Sequence, residues 1–318
     1  MSTSNITEVI GKKLSIEILI VSYFSLILVI IGTSLNSLTF IILCRARFRN
    51  TKVRPVLHYM RTIAVFDILM LYGWNFDNYV YPIYGFFLQR TSIGTCKFLS
   101  FLNYFASQSS AWFRIFICLD RYLTLSQLHR TWFSYSKHVF IVITSILTFF
   151  FLLNLHIIIF ACYYNPNGTV NINSSLFTLY PTWNYVKLAF YNLLPLTLMI
   201  ALNSGVIYHL RMLQRTTTLQ NSRIQHRSIT ITLVSTTVLF FAMTTPAAIG
   251  FTFFSDSNRT ILRSTDCISY GYHILSFPLY MITFDEFRQE FFSMITYKRN
   301  NQRVAVVQMT TKQVNNTK

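Results

Sequence analysis

Between Ile16 and Leu43 the chain runs through 28 residues in which Glu17 is the sole charge. A helix needs about 20 mostly apolar residues to cross the hydrocarbon core of a bilayer. Six comparable stretches follow, so the sequence predicts spans over residues 17–44, 55–84, 95–126, 138–161, 183–211, 228–254 and 265–284. The first, third and fourth read as the most continuous, whereas polar residues interrupt the second and seventh. Composition agrees, because 53% hydrophobic against 12% charged residues is too apolar a balance for one or two soluble domains. The expected fold class is therefore an all-α membrane protein, a seven-transmembrane-helix bundle. The expected organisation is an extracellular N-terminus (1–16), a transmembrane domain (17–285), an amphipathic eighth helix (286–297) and a cytoplasmic tail (298–318).

The basic residues set the expected orientation. The segments after the first, third, fifth and seventh spans carry eighteen Lys and Arg residues and those on the other side five (Lys12, Lys13, Arg90, Arg259, Arg263). Basic loops stay in the cytoplasm, which puts the N-terminus outside. Glycosylation triplets at Asn5, Asn167, Asn173 and Asn258 all fall on segments assigned outside, and a further one at Asn315 falls in the tail. The first residues, Met1 to Lys13, lack the apolar core of a cleaved signal peptide, so the first span is expected to direct insertion itself.

The same distribution argues against other classes. A net charge of +17 would suit nucleic-acid binding if it formed a patch, but the basic residues lie between long apolar stretches. Five widely spaced cysteines without a CxxC pair do not make a zinc site, and no metal or cofactor is implied. No HExxH, nucleophile elbow, P-loop or paired catalytic carboxylates occurs, and His58, His156, His209 and His273 stand isolated, so no enzyme is expected. A transporter or channel is the competing class, against which the two halves show no convincing self-similarity.

Several residues carry a resemblance. The first span holds Gly32 and Asn36 in GTSLN; the second holds IAVFD, ending at Asp67; the third ends in Asp120, Arg121 and Tyr122, with Arg121 standing 25 residues after Cys96. The fifth span has Pro195, and the sixth has Phe240 six residues before Pro246. Along nearly its whole length the chain resembles the rhodopsin-like (class A) G-protein-coupled receptors, in a divergent, invertebrate-like branch of peptide-receptor-like proteins. The resemblance implies a plasma-membrane receptor that turns binding of an extracellular ligand, a short peptide by preference, into activation of a heterotrimeric G protein. A receptor for a small non-peptide ligand is the alternative within the class. Departures are also present: the fourth span lacks the usual tryptophan, Thr244 replaces a tryptophan in the sixth, and the NPxxY element appears as Ser276-Phe277-Pro278-Leu279-Tyr280. The seventh span has no lysine, which excludes a retinal-binding opsin.

From the resemblance come roles. Asp120 would hold Arg121 until activation, when Arg121 meets the G protein; the plainer alternative is a charge anchoring a helix end. The basic loop from Arg211 to Arg227 would add a cytoplasmic partner surface, or serve topology alone. Phe287-Arg288-Gln289-Glu290-Phe291-Phe292 resembles the short eighth helix, its aromatic face in the membrane interface. Cys96 would join Cys162, with Cys267 a competing partner that spacing does not eliminate. Cys44 and Cys118 read as small buried residues, Cys44 alternatively as a lipid attachment point. Asn103 occupies the place where amine receptors carry an aspartate, which disfavours a monoamine ligand. Asp77 and Lys187 are the charges expected to face the cavity, with Tyr104, Tyr191 and Phe251 as its walls; together they would suit a ligand of both charge signs. Alternatively both charges reach for the membrane interface.

In the third span Asn103, Ser107, Ser110, Arg114 and Arg121 follow at helical spacing and share one inward face. Arg114 stands two turns inside the chain from Arg121, where an unpaired guanidinium is costly. Asp67 is the one acid expected at that depth. In the resembled family it joins a serine, here Ser110, and an asparagine absent from this chain to hold a sodium ion. Arg114 is therefore expected to pair with Asp67 in place of sodium, the alternatives being a neighbouring helix carbonyl or a reach to the membrane interface.

Overall fold

The computed structural model describes residues 16–45, 48, 55–126, 135–173, 182–216, 220–254 and 258–296, with side chains between 213 and 230 left out. Asn5, the basic residues Arg47, Arg49, Lys52 and Arg54, and the tail from 297 onward lie outside them.

The chain is mostly helical: α1 (Ile16–Cys44), α2 (Val56–Leu71), α3 (Trp74–Tyr84), α4 (Ile93–Leu125), α5 (Ser136–Phe160), α6 (Thr182–Lys187), α7 (Leu194–Thr216), α8 (Gln220–Phe253), α9 (Arg259–Tyr272), α10 (Ser276–Thr283) and α11 (285–296). A π-helical stretch, Leu188–Leu193, joins α6 to α7. Two short antiparallel strands, β1 (Tyr163–Tyr164) and β2 (Val170–Asn171), form a hairpin after α5. In contact order, α1 packs on α2 and α3, α2 on α4, α4 on α5 and α7, α7 on α8, and α8 on α9 and α10, which return to α1.

Among the described residues, five segments are long and apolar enough to cross a membrane: Ile16–Cys44, Val56–Tyr84, Ser136–Phe160, Thr182–Met212 and Ile231–Phe253. This is the pattern of a multi-pass membrane protein. The third expected span is not among them, although it reads as continuous in the sequence. Its helix, α4, buries Ser100, Asn103, Ser107, Gln108, Ser110 and Arg114, which lower its hydropathy. The seventh fails for another reason, since residues 273–275 turn between α9 and α10 and leave two short helices.

The burial pattern is inverted relative to a soluble protein. Ile20, Phe24, Ile27 and Ile30 of α1 and Phe140, Phe149, Leu152 and Phe160 of α5 are exposed, while Asp67, Asn75, Asn154 and Asn192 are almost fully covered. Exposed apolar faces of this extent suit lipid, not water. Close packing brings α1 against α2 and the turn after α9 at Gly32, where an added Cβ would collide with Leu71 and Ile274.

Breaks in the helices have local causes. Pro195 supplies no backbone N–H, so the turn before it cannot close the α pattern and widens into the π stretch. Gly85, at φ 76°, ends α3 in the left-handed conformation that glycine adopts without steric cost. Ser92 then opens α4 with a capping box closed by Thr95.

Candidate functional site

At its N-terminal end α4 is tied by Cys96 to Cys162, just beyond α5. Cys162 stands in the left-handed region at φ 67°, held by the disulfide and by its N–H donating to the Ile172 carbonyl at 3.3 Å. Cys267, the competing partner, is a free thiol 3.0 Å from the Ser25 hydroxyl. Cys118 is free and buried, whereas Cys44, the last residue of α1, is free and exposed.

Two adjoining pockets open beside this end. A wider one of about 420 Å³ is lined by residues that include Trp74, Asn78, Arg263 and Asp266. A narrow one of about 30 Å³, which shares Trp74, Phe251 and Asp266 with it, reaches down to Lys187, Tyr191 and Thr244. The Lys187 ammonium lies over three aromatic rings, 5.4 Å from Trp74, 5.6 Å from Tyr104 and 5.8 Å from Tyr191. Lys187, Tyr104, Tyr191 and Phe251 are thus brought together as the sequence suggests.

Two expected pocket residues act differently. Asp77 lines the wider pocket, but its carboxylate accepts the N–H of Leu88 at 2.7 Å and of Gln89 at 3.2 Å. The turn at Gly85 folds the loop back so that both amides meet the acid, and Asp77 holds the loop instead of being left for a ligand. Asn103 is buried and lines neither pocket; its carbonyl oxygen accepts the Tyr270 hydroxyl at 3.2 Å. The carboxylate that sequence reasoning missed is Asp266, which accepts from the Asn78 amide at 3.2 Å and borders both pockets. Asp266 falls at the start of the expected seventh span, where an acid is a signal of function that does not tell which way it faces.

Midway along α4 lies a closed ionic centre. Asp67 is fully buried and accepts from Arg114 Nη2 at 2.7 and 2.9 Å, Ser110 Oγ at 2.9 Å and Ser276 Oγ at 3.2 Å. His273 Nδ1 stands 2.7 Å from the same carboxylate. Arg114 also donates to the Ser110 hydroxyl and carbonyl, and its guanidinium lies 4.9 Å from the centre of the Tyr272 ring. The expected pair of Arg114 and Asp67 is thus present, with no neighbouring carbonyl taking its place. His273, isolated in the sequence, enters because the turn at 273–275 carries it inward and frees its carbonyl, which accepts the Asn36 amide at 2.9 Å.

One proton assignment satisfies this histidine. If Nδ1 donates to Asp67, then Nε2 of a neutral ring is an acceptor, and the Tyr191 hydroxyl at 3.2 Å donates to it. Tyr191 therefore belongs both to the wall around Lys187 and to the ionic centre. Its ring meets Phe240 at 5.5 Å, and Phe240 meets Tyr272 at 5.3 Å, a second path between the same places. Thr244 takes the Asn192 amide at 2.8 Å.

At the far end of α4, about 37 Å from Cys96 at 1.5 Å per residue, Arg121 Nε stands 3.9 Å from Asp120 Oδ2. Tyr122 packs against His209, with ring centres 5.6 Å apart. Pro246 lies inside α8 and Pro278 inside α10, while Tyr280 packs on Phe287 of α11 at 5.6 Å. Arg45 pins α11 from the other side, its Nε 2.6 Å from Glu290. Of the glycosylation triplets, Asn167 is exposed in the β hairpin, Asn258 is exposed as the N-cap of α9, and Asn173 is half-buried.

No family model matches the chain, and no curated protein matches its sequence.

Proposed function

We propose that the chain is a receptor of the rhodopsin-like G-protein-coupled type, a seven-helix bundle of the plasma membrane with its N-terminus outside. It would convert binding of an extracellular ligand, a short peptide by preference, into activation of a heterotrimeric G protein. The observation that carries this reading is the content of α4 along its length. One end borders a charged aromatic cavity beside a disulfide, the middle carries the Asp67 and Arg114 ion pair, and the other end carries Asp120 beside Arg121.

A receptor must connect a ligand site to a distant protein surface through elements with two arrangements. Tyr191 provides the connection here. A ligand that moves its ring changes the hydrogen bond to His273 and the contact with Phe240, and both lead to the ionic centre. Rearrangement of that centre would shift α8 and α10 against α4 and free Arg121 from Asp120 to meet the G protein. Under this reading, Asn167 and Asn258 lie on the extracellular side with the cavity, and Arg211 on the cytoplasmic side with Arg121.

The test is a nucleotide-exchange assay on membranes carrying the chain and a panel of G proteins, with peptide pools as agonists. Arg121→Ala should retain surface delivery and ligand binding while losing exchange. Unchanged exchange in that variant, or ligand-independent flux across vesicles carrying the purified chain, would count against a receptor.

A further inference from the structure

Charge is unevenly distributed in the cavity. Arg90, Arg259, Arg263 and Lys187 line the two pockets against Asp77 and Asp266, leaving two positive charges in excess. Both acids are already engaged, Asp77 by two backbone amides and Asp266 by Asn78. Among the described residues, no carboxylate lies within salt-bridge distance of any of the four cations, and no hydrogen-bond acceptor reaches the Lys187 ammonium. An ammonium whose near neighbours are three ring faces still lacks oxygen acceptors for its three N–H groups.

The rim is organised for the same chemistry. Tyr81 and Phe87 stack with ring centres 3.8 Å apart. Arg263 lies over Tyr81 at 5.2 Å and Arg90 over Phe87 at 4.9 Å. Stacking fixes the plane of a guanidinium and leaves its N–H edge available, the arrangement that favours two-point binding of a carboxylate.

We propose that this cavity takes a ligand with two carboxylates, one seated against Lys187 in the narrow pocket and the other held at the rim by Arg263 with Arg90 or Arg259. The proposal rests on the receptor reading only in calling the occupant a signal; the binding chemistry stands without it. It revises the expectation of a ligand with both charge signs, because the acid that would have received a ligand cation holds a loop. The two carboxylates have two possible sources, a free C-terminus with an acidic side chain or a small dicarboxylic acid.

Both sources are tested on the full chain in lipid nanodiscs, by ligand-dependent thermal stabilisation. The probes are tripeptides with a central Phe and acidic, neutral or basic flanks, each with a free or an amidated C-terminus, together with succinate and glutarate. Acidic peptides with a free C-terminus should stabilise most, and amidation should weaken them. A dicarboxylic acid acting as strongly as the peptides would assign the site to small acids and leave the charge assignment standing. Lys187→Gln should weaken the free acids at least about 30-fold, since truncating one side of a desolvated charge pair costs about 2 kcal/mol or more. Lys187→Arg should recover part of the loss. Arg263→Gln, nearer solvent, should weaken binding up to about 5-fold.

Stronger stabilisation by basic or amidated peptides, or none by any free acid, would overturn the proposal. The comparison of free with amidated probes needs no variant, so misfolding of a substituted chain does not obscure it. Binding without nucleotide exchange on any G protein would sink the receptor reading and leave this one intact. A cationic agonist that drives exchange from the same cavity would do the reverse.

Discussion

Replacing Arg114 by Leu removes the guanidinium that faces the fully buried Asp67 carboxylate. Asp67 would keep Ser110, Ser276 and His273 and lose the two hydrogen bonds that carry charge compensation. Breaking a buried pair from one side costs about 3–5 kcal/mol, because the remaining charge is left uncompensated where water does not reach. That corresponds to a fall of roughly 10 °C in apparent melting temperature. The buried free thiols Cys118 and Cys267 give the assay. A thiol-reactive dye reports their exposure on heating in detergent, in a Cys44→Ser background because Cys44 is already exposed. Asp67→Asn should show a loss of similar size, and the double variant should recover at least about 2 kcal/mol of the summed losses. Sodium adds an independent test. The Asp67 oxygens are already occupied, so sodium should leave the native chain unchanged and should stabilise Arg114→Leu, in which Asp67 regains room for a cation. Strictly additive losses, or equal sodium stabilisation of both proteins, would refute the view that Arg114 stands in the place of a bound ion.

Asp77→Asn should lower stability by about 1–3 kcal/mol through its weakened bonds to Leu88 and Gln89. It should reduce the affinities of charged and neutral probes alike, and selective loss for one charge class would return Asp77 to the ligand site. Removing the disulfide with Cys96→Ser and Cys162→Ser opens a 66-residue separation. The loss should be at most about 4 kcal/mol, an upper bound since inserted helices already restrict the unfolded chain; reduction of the native chain should reproduce it, and an unchanged melting curve would discount the cross-link. Phe287→Ala empties a fully buried site between Phe277 and Tyr280 at a cost of about 3–5 kcal/mol. Hydrogen exchange should accelerate across 285–296 first, and uniform acceleration throughout the chain would show that Phe287 belongs to the global core.

The long apolar helices were legible because lipid demands a minimum length of apolar residues, and α1 and α5 meet it without help from other elements. Helix α4 reads as a continuous span in the sequence, but it carries polar residues that take it below the apolar requirement and whose neighbours only the fold supplies. Arg114 could nevertheless be paired with Asp67, because helical spacing turns it inward and few charges are available at that depth, whereas Ser110 was placed beside Asp67 by the resemblance alone. No such constraint located His273 or Asp266. Their facing depends on the turn at residues 273–275, which interrupts the helical register, so counting from α10 misplaces everything in α9. Asp77 lines the wider pocket as expected, but its hold on the loop was not legible. Its partners are backbone amides, invisible to a search for opposite charges, and they arrive through a left-handed turn at Gly85.

Asp67 also shows why the residues around the turn at 273–275 belong together. Ser276 reaches the carboxylate with a single donor. An ion held by neutral oxygens needs several such ligands, whereas a guanidinium brings its own charge and its own donors. With Arg114 supplying the charge, His273 at the turn uses one nitrogen for the carboxylate and the other for Tyr191. A direct hydrogen-bonded path therefore runs from the carboxylate to the cavity wall. Arg114, His273 and Tyr191 form one coupled set, since removing Arg114 leaves an uncompensated acid and removing His273 takes the acceptor from the buried Tyr191 hydroxyl.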